Sequence, residues 1–291
     1  MSKTVHRIYI ASFVIICVFA LVILGVNGYN YYKAPVEERF FMQQNNLLKP
    51  SGLIGHGLGI FGSFFMIIGV ATYMIRKRVK LFFKFGYLKY WLEFHIFLCT
   101  LGPILILYHT AFKFGGIVVV SFWSMVAVVL SGVIGRYLYV QIPHTIQGQM
   151  IGMNELNSLS EKLSQQLKED FKIPGEIFTK IEEISATHRY KRVKFTKGLL
   201  LMANDYFGIK NVIRSLKHEL KEAGVSKSKR KEILHTAKNK LVISRRIGML
   251  HTMQKLFGYW HVVHLPFALI MFIIMVVHIS VEIVFGYKWI F

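Results

Sequence analysis

The stretch FHIFLCTLGPILILYHT, residues 94–110, has the composition of a membrane-spanning helix, and yet it contains a histidine near each end. It contains no Asp, Glu, Lys or Arg. About 20 apolar residues at a rise of about 1.5 Å each cross about 30 Å of hydrocarbon. Imidazoles at membrane depth are costly and usually functional. The fold and the function therefore both depend on what His95 and His109 do.

The whole chain is both apolar and strongly basic. It has 291 residues, of which 54% are hydrophobic, with a mean hydropathy of +0.44 and a formal net charge of +21. This combination is typical of a membrane protein with basic cytoplasmic loops. It fits a nucleic-acid-binding protein poorly, because such a protein has no use for long uncharged runs, and we expect no nucleic-acid partner.

The two cysteines, Cys17 and Cys99, both lie in apolar runs. The sequence contains no Cys-x-x-Cys pair and no Cys-x-x-Cys-His motif. We therefore expect neither a disulfide, nor a thiolate metal site, nor a covalently attached haem.

Hydropathy predicts an all-α, polytopic membrane helical bundle with about five transmembrane helices. The first run is longer than the apolar core of a signal peptide and lacks a small-x-small cleavage site, which favours a membrane helix. We expect helices one to four within residues 1–140 and the fifth within 258–291. The predicted spans are Ile8–Tyr29, Gly52–Ile75, Tyr90–Phe112, Ile117–Val140 and Tyr259–Phe285.

Basic residues set the expected orientation. They concentrate between spans two and three, in RKRVKLFFKFGYLK (76–89), and in the long polar segment 141–257 between spans four and five. Five spans place both segments on one side, and the positive-inside rule makes that side cytoplasmic. We expect a bacterial-type cytoplasmic membrane, with the N-terminus inside and the C-terminus outside.

The segment 141–257 is predicted to be a helical cytoplasmic insertion. A helical repeat of leucines runs from Leu156 to Leu167, IPGE interrupts it, a second amphipathic helix ends at Gly224, and Ser226 is placed to cap a third. Between Arg189 and Lys255 there are eighteen Lys and Arg residues but only four acidic residues. This basic surface either meets anionic lipid heads or docks an acidic redox subunit.

The membrane histidines are regularly spaced. Fourteen residues separate His95 from His109, and fourteen also separate His264 from His278. That spacing is four turns at about 3.5 residues per turn, so both histidines of a helix face one neighbour, with a rise of about 21 Å between them. Spans three and five are parallel in the expected topology, which pairs His95 with His264 and His109 with His278.

Two facing imidazoles suit bis-histidine haem ligation, because the porphyrin supplies the four equatorial nitrogens. Two levels of histidines then predict two non-covalent b-type haems. Zinc is less suited, since it prefers four protein ligands that usually include Cys, Asp or Glu. Gly102, seven residues from His95 and from His109, is expected to leave room between the two macrocycles. The alternative is that each histidine is a separate, hydrogen-bonded interior residue.

This pattern resembles a known family. Two spans that each contain His-x13-His, without Cys-x-x-Cys-His, are similar to the diheme b-type membrane cytochromes, such as cytochrome b of quinol–cytochrome c oxidoreductases and the ferric-reductase/NADPH-oxidase membrane domain. The resemblance covers spans two to five and implies that His95, His109, His264 and His278 are axial ligands. The chain differs from both families in its five spans and helical insertion. It also has no P-loop, and its one Gly-x-Gly-x-x-Gly, at residues 57–62, lies inside predicted span two and not between a strand and a helix.

Other polar residues have open roles. His261, one turn before His264, is an alternative ligand, and His56 is a candidate ligand, propionate contact or quinone contact. Arg136 either binds a propionate of the inner haem or anchors its helix at the membrane face. Glu93 and Glu282 either exchange protons with a quinol or are solvated helix-end acids.

The expected function is that of an electron-transfer subunit of a membrane oxidoreductase. Electrons would come from a quinol in the bilayer, or from a redox subunit on the basic cytoplasmic segment, and pass to an acceptor on the outer side. A ferric-reductase-like metalloreductase is one alternative. A cofactor-free transporter or scaffold with proton-relay histidines is another.

Overall fold

The computed structural model describes residues 2–142, 152–171, 178, 179, 181, 182 and 195–285. Within these ranges every regular element is helical and no strand occurs, which confirms the all-α class. The longer helices are α1 (Lys3–Asn27), α4 (Leu53–Arg78), α5 (Leu88–His109), α6 (Val118–Gln141), α7 (Met153–Gln165), α8 (Phe195–Glu222) and α9 (Lys227–Phe285). Two short helices, α2 (Tyr29–Lys33) and α3 (Asn45–Leu48), lie between α1 and α4.

Five helical stretches among the described residues are long and apolar enough to cross a membrane. They are Thr4–Asn27, Asn45–Arg78, Leu88–His109, Val118–Gln141 and Thr252–Phe285. Each overlaps one of the five predicted spans. A multi-pass helical membrane protein is thereby confirmed, whereas the type of membrane and the side of each terminus stay predictions.

The chain divides into two compact units. The first contains the described residues up to Gly135 and those from Trp260 onward. The second contains Arg136–Thr145 and Gln149–Tyr259, as far as these are described. The predicted boundaries at 140/141 and 257/258 separate membrane from cytoplasm, and that assignment stays a prediction.

The closest helix pair of the first unit is α4 with α5, and a stripe of glycines on α4 makes the approach possible. A Cβ atom on Gly62 would lie 2.9 Å from the carbonyl oxygen of Gly102, and one on Gly69 would lie 3.0 Å from the Cβ of Leu98. Small residues let membrane helices pack backbone to backbone. Gly59, Gly62 and Gly69 therefore form the face of α4 that contacts α5.

The other spans of the first unit pack through aromatic and hydroxyl contacts. Phe13 of α1 stacks on Phe97 of α5 with ring centroids 4.2 Å apart, and the Tyr108 hydroxyl donates to the carbonyl of Leu21 at 3.0 Å. The Ser121 hydroxyl of α6 donates to the carbonyl of Met271 in α9 at 3.1 Å. Hydroxyl-to-carbonyl bonds of this kind hold helices together where no water competes.

Two buried arginines fix the loops at the ends of α4 and α5. Arg39, only 5% exposed, donates to the carbonyls of Ala34 and Tyr32 at 2.9 and 2.8 Å, and also to that of Ala111. Arg76 donates to the carbonyls of Phe85 and Gly86 at 3.1 and 2.8 Å. A guanidinium has five N–H donors, so one side chain can satisfy several loop carbonyls.

The second unit has its own apolar core, built where α8 and the first part of α9 meet the segment after α7. The buried core residues are Leu167, Ile181, Leu216, Leu220, Ile233, Ala237 and Leu241. Leu156 and Leu167 of the predicted leucine repeat are buried, whereas Leu159 is exposed. The predicted break at IPGE (173–176) lies outside the described residues.

A buried lysine stabilises this second unit. Lys240 pairs with Glu182 at 3.1 Å and donates to the hydroxyls of Ser160, at 3.2 Å, and Ser164. Ser164 in turn donates to Glu182 at 2.6 Å. A buried ammonium is tolerated only when it is paired and hydrogen-bonded in this way, so the network accounts for a lysine inside a leucine-rich core.

Candidate functional site

His95 lies in α5 with its Nδ1 atom 3.0 Å from the carbonyl oxygen of Gly69 in α4. A carbonyl oxygen only accepts hydrogen bonds, so Nδ1 is the protonated nitrogen and Nε2 has the free lone pair. The Tyr73 ring stacks on the imidazole with centroids 5.4 Å apart, and the Cys99 sulfur lies 3.5 Å from Nδ1. This is the orientation that a metal-ligating histidine needs.

His109 repeats this arrangement at the other end of α5. Its Nδ1 donates to the carbonyl of Gly55 at 2.8 Å. A Cβ atom on Gly59 would lie 2.8 Å from the same nitrogen, so the ring reaches α4 because residue 59 has no side chain. Both histidines of span three are therefore held by α4 in the same tautomer, with Nε2 available.

His264 of α9 is held by a hydroxyl group instead of a backbone carbonyl. The Ser131 hydroxyl lies 2.9 Å from the carbonyl oxygen of Val128, and Ser131 Oγ lies 2.6 Å from His264 Nδ1. When the hydroxyl donates to Val128, its oxygen accepts from His264, whose Nδ1 is then the protonated nitrogen. The Trp260 ring lies against this imidazole, with centroids 4.7 Å apart and planes inclined by 31°.

The histidines occur in two pairs on opposite helices. His264 lies within electrostatic reach of His95, and His278 lies within electrostatic reach of His109. These are the two pairs that the equal spacing and the parallel spans predict. All four side chains are partly buried. We refer to them as the first pair, His95 and His264, and the second pair, His109 and His278.

An apolar layer rich in methionine separates the two pairs. Met271 is seven residues from both His264 and His278, and Met66 contacts Gly102, which is midway between His95 and His109. The layer consists of buried Met66, Phe122, Met125, Met271 and Met275. Methionine adapts its shape to irregular spaces, which suits the lining of a ligand cavity. A signal of this layer in the sequence is the position of Met271, midway between two histidines.

Gly102 packs directly on α4. A Cβ atom there would lie 2.7 Å from the Gly62 carbonyl oxygen and 2.7 Å from the Cγ of Met66. This helix contact is by itself sufficient reason for glycine at position 102. The expected role of Gly102 as a spacer between two macrocycles stays a prediction.

The two alternative histidines differ from the paired ones. His261 is exposed and meets the edge of Trp260, with ring centroids 4.6 Å apart and planes inclined by 77°. His56 is partly buried and lies within electrostatic reach of His109, as does Glu282. Burial and the bond to Ser131 thus favour His264 over His261 as the ligand, and His56 belongs to the surroundings of the second pair.

Arg136 is the first residue of the second unit. Its guanidinium lies over the Tyr139 ring, 5.9 Å from the centroid. Contact with a haem propionate stays a prediction for this residue.

Glu93 is buried, although a solvated position was expected as one alternative. It is 5% exposed, and its Oε1 lies 3.6 Å from Nε2 of His6 and 3.7 Å from Nζ of Lys89. Beside this cluster, a slot of about 240 Å³ is lined by the aromatic rings of Tyr9, Tyr90, Trp91 and Phe94. No sequence pattern indicates the slot, because its walls come from α1 and α5, at residues more than 80 positions apart in the chain.

Among the described residues, no group of three or more His, Cys, Asp and Glu is placed to hold a metal ion. The imidazoles occur in pairs, and a pair is what a porphyrin-bound metal requires from the protein.

Comparison with protein-family models, with curated proteins and with solved structures found no match. The likeness to diheme cytochromes therefore depends on the histidine pattern alone, and function has to be inferred from the site.

Proposed function

We propose that this chain is a membrane cytochrome b subunit that moves electrons across the bilayer through two bis-histidine b-type haems. The observation that supports it most is the pairing of four membrane histidines at two levels, in which His95, His109 and His264 all have Nδ1 bound to an oxygen atom. Their Nε2 atoms are the nitrogens left for iron. His95 and His264 would hold one haem, and His109 and His278 the other.

The residues around both pairs fit this cofactor. Bis-imidazole ligation needs two neutral imidazoles and an apolar, adaptable wall, and the methionine-rich layer between the pairs supplies that wall. When bound, haem supplies reversible one-electron chemistry at iron. The protein's own part is to orient the imidazoles, keep water away from the middle of the membrane and hold the two sites apart.

Two kinds of electron donor are candidates. A quinol would come from the bilayer, and the aromatic slot beside Glu93 and His6 is where its ring and its hydroxyl groups would find partners. Glu93 and His6 are the acid–base pair that would accept the protons which quinol oxidation releases. Phe94, which lines the slot, directly precedes His95 in the chain.

The other donor would be an acidic redox subunit docked on the basic segment of the second unit, where electrostatic steering would speed association. An electron acceptor would bind on the outer side of the membrane. A ferric-reductase-like enzyme differs from this proposal only in that acceptor, an Fe(III) complex.

A proton relay without a cofactor is the alternative from a different class. Its supporting observation is that two other titratable side chains, His56 and Glu282, both lie within electrostatic reach of His109. Such chains occur in proton-coupled membrane transporters. This alternative predicts a colourless protein.

The deciding experiment is the visible spectrum and haem content of the purified protein, expressed with haem available. We expect a Soret band, a reducible b-type α band and two haems per chain. His95→Ala and His109→Ala should each leave about one haem, because each removes one ligand from a different pair. His218→Ala is the matched control, since His218 is an exposed histidine paired with Glu222 in the second unit.

A colourless protein would refute the cytochrome proposal and favour the relay. Two haems in both α5 variants would refute the ligand assignment instead.

A further inference from the structure

We infer that Trp260, Ser131 and Gly135 together position His264 as a haem ligand and tune that haem, so that the two haems have unequal properties. This inference rests on the proposed function. It assigns a positioning role to two residues of α6 and one of α9 for which the sequence alone predicted none.

The side chains of Trp260, Ser131 and His264 form one closed set of contacts. Trp260 and His264 are four residues apart and so lie on one face of α9, where their rings are in contact with centroids 4.7 Å apart and planes inclined by 31°. Trp260 Nε1 donates to the carbonyl of Ser131 at 2.7 Å, and the hydroxyl of Ser131 accepts from His264 Nδ1 at 2.6 Å. Ser131 therefore binds both rings, one through its backbone and one through its side chain.

Gly135 provides the surface on which the indole lies. A Cβ atom at residue 135 would come within 2.2 Å of the Cζ2 atom of Trp260 and within 2.3 Å of its Cε2 atom. Real Cβ atoms do not approach other atoms so closely, so a side chain at position 135 would expel the indole. Gly135 thus leaves the space that the indole occupies, and the indole lies beside the His264 ring.

The same contacts explain why His264 is the ligand and His261 is not. His261 is exposed and its ring is inclined by 77° to that of Trp260, whereas His264 is partly buried and its ring is inclined by 31°. The contact between Nδ1 of His264 and Ser131 fixes the orientation of that ring, as ligation requires.

The acceptor at His264 also differs in kind from those of span three. His95 and His109 donate to backbone carbonyls, whereas His264 donates to a hydroxyl oxygen that is itself a donor to Val128. An acceptor on Nδ1–H increases electron donation from Nε2 and so favours the ferric state. Removing the Ser131 hydroxyl should therefore raise the midpoint potential of the haem at the first pair only.

The test uses the full-length protein with both haems, and it measures haem content and the two midpoint potentials in the parent and four variants. Ser131→Ala and Trp260→Leu should weaken haem retention at the first pair roughly 10–100-fold, the usual range for loss of an outer-shell partner, and Ser131→Ala should raise its potential. Ser131→Thr keeps the hydroxyl and should restore both values. Trp123→Leu is the control for Trp260→Leu, because Trp123 is an exposed tryptophan on α6, the helix that contains Ser131.

The haem of the first pair is identified as the one lost in His95→Ala. The inference is overturned if Ser131→Ala and Trp260→Leu leave that haem's potential and retention at parental values, if they shift both haems alike, or if Ser131→Thr behaves like Ser131→Ala. A parent protein without haem would refute the proposed function itself, and the two failures are therefore distinct.

Discussion

At the scale of single residues, three histidines each have Nδ1 against an oxygen atom, and the oxygen atoms are of different kinds. Two use backbone carbonyls of α4 and one uses a serine hydroxyl. The sequence predicted the histidines and their pairing, because both follow from spacing along a helix. It did not predict the acceptors, since a carbonyl has no sequence signature and Ser131 lies 133 residues from His264.

The contact between Gly102 and Gly62 leads to a prediction about the stability of the fold that does not depend on haem. Gly102→Ala places a Cβ atom 2.7 Å from a backbone oxygen, and backbone cannot move aside cheaply. We expect a loss of about 1–3 kcal/mol in the free energy of unfolding, the usual cost of overpacking. Denaturation in detergent, followed by helical circular dichroism, measures it.

Gly132→Ala is the matched control, because a Cβ atom at this position of α6 meets nothing within 4 Å. It should be neutral or slightly stabilising, since alanine is the better helix former. Equal stability of the two variants would contradict the close packing of α4 on α5.

At the scale of elements, the spans were predictable and their connections were not. Long apolar runs identified all five spans, because hydrocarbon thickness fixes the length of such a run. The predicted boundary at 257/258 between the insertion and span five does not coincide with a helix end, since α9 is continuous from Lys227 to Phe285. Hydropathy changes near residue 258, but the one glycine there costs a helix only about 1 kcal/mol and does not end it.

Arg39 is the clearest example of a connection that the sequence hid. In the sequence it is only a basic residue between spans one and two. In the structure it joins the segment after α1 to the turn after His109. In that turn Ala111 and Phe112 have positive φ values of 47° and 58°. Its role depends on carbonyls from two distant loops, and a single sequence does not reveal such pairings.

Arg39→Met should lower the free energy of unfolding by about 3 kcal/mol, because carbonyls of Tyr32, Ala34 and Ala111 lose a charged donor. Lys113→Met, in the neighbouring loop and exposed, is the control and should change stability little. Thermal unfolding of both variants in the same detergent measures the difference. Similar midpoints for Arg39→Met and the parent would rule out the arginine as a structural link.

At the scale of the whole molecule, the distribution of charge predicts the orientation. The basic loop after α4 and the basic second unit should lie in the cytoplasm. In a variant without Cys17 and Cys99, a membrane-impermeant maleimide applied to intact cells should label Gly115→Cys and leave Ser228→Cys unlabelled. Both positions are exposed, so accessibility alone does not separate them.

Lysed cells supply the control, because both cysteines should then react. Labelling of Ser228→Cys in intact cells, with Gly115→Cys protected, would show the opposite orientation and, under the proposed function, the opposite direction of electron transfer.

The bonds from α5 to α4 also have a consequence for biosynthesis. These two helices are neighbours in the chain, so His95 and His109 can be set in place soon after both helices have entered the membrane. Their partners His264 and His278 are synthesised 169 residues later in each case. Under the proposed function, a nascent chain would thus present half of each haem site well before it could retain a haem, and the insertion of span five would be the step that commits the protein to its loaded form.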